Sequence, residues 1–254
     1  MIHLMLENNF WIYLTNNLIF NSKGDAHFVI CKGFNSMSEN GTIVLYITSG
    51  FYKEWKRYQN ISNKYIRSLE DKLSNLNEII GIEYLIGKTE ALEKVKVEYQ
   101  NAMRNIIERN KEQLRDVESL LSKCIPIPIS DNVKEIVISL AVDKKPPFHN
   151  SKSNVNDALN LFSFDEYVKT TDTCSNNEFI FVSKSHSDYC ISGNISEIHP
   201  DIRANITDKI SLKSEDKISE ILELSIESTR EFKDDWNKLD SELDNNVLFR
   251  MFNV

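Results

Sequence analysis

The stretch Glu178-Phe179-Ile180-Phe181-Val182-Ser183 most constrains what this chain can fold into. A short apolar run bounded by polar residues reads as a buried strand. It is followed by Lys184-Ser185-His186-Ser187-Asp188, a polar tip that ends in an acid. Two earlier stretches have related forms. Ile2–Leu6 is a short apolar run closed by Glu7-Asn8-Asn9, with the start of a helix at Phe10. Thr42–Ile47 is β-branched and apolar, and Thr48-Ser49 then caps a helix that contains Glu54. Ligands and catalytic groups of open α/β sheets gather outside the carboxyl ends of the strands. Glu7 is expected to project there.

The region between the second and third of these strands differs in kind. From Gln59 to Lys123 it is charged, free of proline and rich in helix formers. The spacing predicts two long helices, roughly 51–80 and 89–123, folded into an antiparallel hairpin. Leu69, Leu73, Leu76 and Ile80 share a face on the first arm. Leu92, Val95, Tyr99, Met103, Ile106 and Ile107 share one on the second. Cys124-Ile125-Pro126-Ile127-Pro128-Ile129 is extended, because each proline disfavours helix in the residue before it. Ser130-Asp131 caps a helix over 132–142, and Lys144-Lys145-Pro146-Pro147-Phe148 is a basic, rigid loop. Asp157 then opens a helix, where the dipole favours an acid whether or not it has a chemical role. Residues 21–40 read as a polar loop with a possible small strand at Phe28-Val29-Ile30.

Composition sets the remaining bounds. With 254 residues and 27% charged side chains, the chain suits one large globular domain with additions. Only 7 glycines and 5 prolines argue against a turn-rich barrel or sandwich. The net charge of −8 is unlike a nucleic-acid binder at first sight. Residues 205–254, however, carry seven Lys/Arg and twelve Asp/Glu, a balance of −5 that leaves −3 for the first 204. Cys31, Cys124, Cys174 and Cys190 are isolated, with no zinc-ligand spacing, and read as free thiols of a reducing compartment. No signal peptide or membrane span is visible, which predicts a cytoplasmic chain.

Taken in order, Glu7-Asn8-Asn9 after the first strand, Glu54 after the second, Lys145-Pro146-Pro147-Phe148 leading to Asp157-Ala158-Leu159, and Phe181-Val182-Ser183-Lys184-Ser185 before Asp188-Tyr189 resemble the PIN domain family, in particular PIN-like bacterial proteins with a helical insertion. The chain departs from the family's pattern at Glu7, where Asp is usual, and at Ser185, where Asn or Asp is common. The resemblance implies a three-layer α/β/α domain over 1–204 around a mostly parallel sheet. The hairpin over 59–123 would be an insertion, and 205–254 an acidic helical extension. It also implies a nuclease with Mg²⁺ or Mn²⁺ as cofactor and RNA rather than DNA as substrate, acting as a toxin or host-defence effector.

Clustered carboxylates repel one another in a low dielectric and are stabilised by a hard cation. Glu7 and Asp157 are the expected direct metal ligands. Asp188 and Glu54 would bind a second ion or act through water. Asn9, Ser183 and Ser185 would support them, and Lys53, Lys56, Arg57, Lys144 and Lys145 would contact phosphates. Two rival readings stay open: a catalytically weak scaffold binding a protein partner or antitoxin through the hairpin or C-terminal helices, and a phosphatase-like α/β hydrolase.

Overall fold

The computed structural model describes residues 1–15, 24–83, 90–149, 155–171, 177–183, 186–191, 194–214, 217, 218 and 221. Five strands form one wholly parallel sheet in the order β3-β2-β1-β4-β7. They are β1 (Ile2–Leu6), β2 (Ile43–Thr48), β3 (Ile125–Ile127), β4 (Glu178–Ser183) and β7 (Ile210–Ser214). A small antiparallel pair, β5 (Cys190–Ile191) and β6 (Asn194–Ile198), lies apart from this sheet. The predicted strands at 2–6, 42–47 and 178–183 are all present.

Helices cover both faces. On one lie α1 (Asn8–Thr15), α2 (Gly24–Glu39), α3 (Phe51–Glu83) and α4 (Glu90–Lys123). On the other lie α5 (Asp131–Val142) and α6 (Val155–Thr171), and α7 (Pro200–Arg203) is a single turn. The layering follows from strand alternation, in which successive side chains point to opposite faces. Leu4, Leu6, Leu45, Ile47, Ile180 and Val182 join Trp11, Phe34, Trp55 and Val117 in one core. Met5, Tyr46, Phe179 and Phe181 join Leu161, Phe162 and Phe164 in the other. Each such large apolar side chain contributes about 1.5–3 kcal/mol relative to exposure. This is the three-layer α/β/α architecture expected from the resemblance.

Two segments depart from the sequence reading. Residues 24–39 form a helix, not a polar loop with a strand at 28–30. Ile30, Cys31, Phe34 and Met37 recur at helical spacing and pack into the first core. Lys32 also bridges to Glu112 and Asp116 of α4, each at 2.9 Å. Tertiary packing here overrides weak local propensity. Residues 210–214, expected within the helical extension, form β7 beside β4.

The helical hairpin is present as α3 and α4. Its inner end is part of the first core through Ile66, Leu69, Leu114, Val117, Leu120 and Leu121. Tyr99, expected on the packed face of the second arm, is 40% exposed. Leu76, Ile80, Leu92 and Val95 have side chains outside the described residues. No helix among the described residues is long and apolar enough to cross a membrane.

Candidate active site

The strand order places a switch point between β1 and β4. From β1 the chain passes to β2 on one side, while β4 lies on the other. Crevices form outside the carboxyl ends of strands at such points. Glu7 stands there as the residue between β1 and α1, and it is fully buried, at 0% exposure. Its backbone N–H donates to Val182 O at 3.0 Å, which ties it to the end of β4. Ser183, the last residue of β4, donates its hydroxyl to Glu7 Oε2 at 2.5 Å. The sequence-predicted pair Glu7 and Ser183 is thus in direct contact.

Asp157 lies in the first turn of α6 and is 5% exposed. Its carboxyl is pushed up to about 7, by burial first and then by the charges of Glu7, Glu54 and Asp188. All four predicted acids therefore share one electrostatic field, although they come from four different elements. Asp188 is half-buried in a 3-10 turn over His186–Tyr189. Glu54 is half-buried in the first turn of α3. The hydroxyl of Tyr189 lies near the same charges, since burial and then Asp157, Glu7 and Asp188 hold its pKa well above the ordinary value. Tyr189 is 0% exposed, and its Oη has no hydrogen-bond partner among the described residues.

Glu54 is held by a relay of amides that sequence reasoning did not find. Thr48 Oγ1, at the end of β2, donates to Asn160 Oδ1 at 2.7 Å. Asn160 Nδ2 donates to Asn8 Oδ1 at 2.8 Å. Asn8 Nδ2 then donates to Glu54 Oε2, and Asn156 Nδ2 donates to Glu54 Oε1. The relay has a direction: each amide accepts on oxygen and donates on nitrogen, and it ends on a carboxylate, which only accepts. Thr48, Asn8 and Asn160 are buried, so each needs this partner. One signal was available: Asn160 lies three residues after Asp157, on the same face of one helix.

The other predicted supporting groups are placed as follows. The side chain of Asn9, all of Ser185 and the side chain of Lys53 fall outside the described residues. At the N-terminus of α1, Asn8 meets Glu54. Lys56 and Arg57 are exposed on α3. Lys144 and Lys145 follow α5, and Lys145 Nζ stands 3.5 Å from Asp143 Oδ2. Neither is among the charges that shift Asp157.

The donor set is all oxygen and all acidic, which suits a hard divalent cation, and a cation would relieve the repulsion acting on Asp157. Among the described residues, no three acid, histidine or cysteine side chains already converge to hold a metal ion. Both Glu54 oxygens are committed to amides, and one Glu7 oxygen is committed to Ser183. The fit is thus one of chemistry and charge.

Comparison with known proteins supplies a family match. A family model described as PIN domain matches residues 4–189, a span that runs from β1 to Tyr189 and contains all four acids. No curated protein and no solved structure matches the chain.

Proposed function

Because the chain belongs to the PIN-domain family, we propose that it is a metal-dependent endoribonuclease whose site is built on Glu7, Asp157, Asp188 and Glu54. PIN domains are generally metal-dependent nucleases, and the chain has that nuclease-type fold. The observation that carries the reading is that nearly buried Asp157 lies within the field of three other acids, Glu7, Glu54 and Asp188, which come from separate elements. Such a gathering is unfavourable unless a cation offsets it or one acid takes up a proton.

In this reading Asp157 and Glu7 hold Mg²⁺ or Mn²⁺ directly, and Asp188 contributes from the 3-10 turn. A bound cation supplies Lewis acidity, making water nucleophilic at neutral pH and offsetting charge on the departing oxygen of a phosphodiester. Ser183 fixes one Glu7 oxygen at the end of β4. Asn8 and Asn156 hold Glu54 as a fixed negative group that orients water. Lys53, Lys56 and Arg57, at the start of α3, contact phosphates, and Lys144 and Lys145 serve the far side of the substrate. By the family likeness the substrate is single-stranded RNA, and the setting is a toxin or host-defence effector.

The test is cleavage of single-stranded RNA in Mg²⁺ or Mn²⁺ against a chelator control. Asp157→Asn is expected to lower the rate by about 10³-fold or more, the scale of losing a group that acts on the reacting centre. Its circular dichroism should match wild type. A variant that cleaves like wild type removes Asp157 from the mechanism. A wild type that neither cleaves nor binds Mn²⁺ favours the scaffold reading.

A further inference from the structure

The hairpin has a feature that the site does not use. Between Glu54 and Glu70, α3 carries Lys56, Arg57, Lys64 and Arg67 and no acid, in a chain whose net charge is −8. All four cations are exposed. The helix turns Trp55, Ile66 and Leu69 into the core, which leaves the opposite side to the cations. Arg57 and Lys64 are seven residues apart and share a face. Arg67 follows one turn later, about 15 Å beyond Arg57 along the axis.

This face leads to a cleft of about 340 Å³ between α3 and α4. Ile66 and Leu114 form its apolar floor, with Arg67, Lys111, Arg115 and Glu70 around them. Lys111 is already engaged, at 2.9 Å from Glu70 and 3.3 Å from Glu108. Arg67 and Arg115 have no acidic partner among the described residues. The cleft therefore offers two uncommitted guanidinium groups over an apolar floor. Guanidinium forks match phosphate oxygens, and their planes and an apolar surface suit stacked bases.

We infer that the outer face of α3 and the cleft it shares with α4 form a track for the single-stranded nucleic acid that the site processes, with Lys64, Arg67 and Arg115 as phosphate contacts. The inference rests on the nuclease reading for its substrate class. Its own support is the cation face and its continuity with Glu54 on one helix. A polyanion lying over the acid cluster needs a cationic surface along which to leave, and α3 supplies one that starts within a turn of Glu54. The site thus extends about 20 Å beyond Glu54.

The test is fluorescence anisotropy in a chelator, where no cleavage occurs, using single strands of about 5 and about 20 nucleotides. Wild type should bind the long strand more tightly than the short one. Lys64→Gln/Arg67→Gln/Arg115→Gln should weaken long-strand binding by about tenfold or more at low salt and reduce the salt slope by about 2. The long-to-short affinity ratio should fall toward one, with circular dichroism and Tm unchanged. Equal binding of both strands by wild type, or an unchanged ratio in the variant, overturns the track. Displacement of the long strand by polyglutamate at equal charge concentration also overturns it, in favour of an acidic protein partner. A wild type that shows this length dependence but never cleaves keeps the track and rejects the catalytic reading.

Discussion

The first turns of α6 and α3 present acids to the same edge of the sheet, yet the two acids end in opposite states. Asp157 is nearly buried, its carboxyl is pushed up to about 7, and no hydrogen-bond donor reaches it among the described residues. Glu54 is half-buried, and amides of Asn8 and Asn156 hold both of its oxygens. The helix dipole favours an acid in both places, so it does not explain the difference. Partners and burial do. A carboxylate met by two donors has its charge compensated by the protein. A carboxylate met by burial and three other acids has its charge opposed, and a cation is the simplest relief.

The largest test of this contrast uses pH without metal. The folded value for Asp157 lies near 7 and the ordinary value is 3.8, so folding favours the neutral form. Its contribution to stability is fully present below the ordinary value and is lost as pH rises through about 7. The Tm of metal-free protein should fall as pH is raised from about 5 to about 8, a loss worth about 3 kcal/mol. Asp157→Asn should flatten that fall. Glu54→Gln removes only one of the three charges that oppose Asp157 and leaves its burial and Glu7 in place, so it should lessen the fall only in part, and a curve as flat as that of Asp157→Asn breaks the contrast.

A smaller effect is expected from Glu54→Gln on Mn²⁺ binding measured by calorimetry. Groups that orient ligands rather than bind the ion typically contribute 10- to 100-fold, so a loss of about 10- to 100-fold is predicted. An unchanged affinity would detach Glu54 from the site. The smallest effect concerns Tyr189, whose buried hydroxyl lacks a partner beside Asp157. Tyr189→Phe should raise metal-free stability by about 1 kcal/mol, read as a Tm increase of a few degrees. A drop in Tm would mean that the hydroxyl has a stabilising partner.

Much of this architecture was legible from local pattern. The strands at 2–6 and 178–183 stand out because they are mostly apolar and end at polar residues. The long hairpin stands out because it lacks proline. Two elements were hidden for physical reasons. α2 has few strong helix formers, and packing against α4, α1 and β2 decides its state. β7 is a five-residue alternation, Ile-Ser-Leu-Lys-Ser, whose pairing with β4 supplies what its length does not. At the site, the acids were visible as residues at strand ends and helix starts. The amide relay was not, because Thr48, Asn8 and Asn160 are far apart in sequence and ordinary in type. Their roles exist only once β2, α1 and α6 meet.

The continuity of α3 has one more consequence. A single 33-residue helix carries Glu54 at its base and Arg67 on its arm, so the two are locked in angular phase. Removing seven residues between them would turn the arm by only about 20° relative to the base, because seven residues are nearly two full turns. Removing five would turn it by about 140° and aim the cation face elsewhere. Changes in arm length therefore come in permitted and forbidden steps, set by helical periodicity rather than by distance.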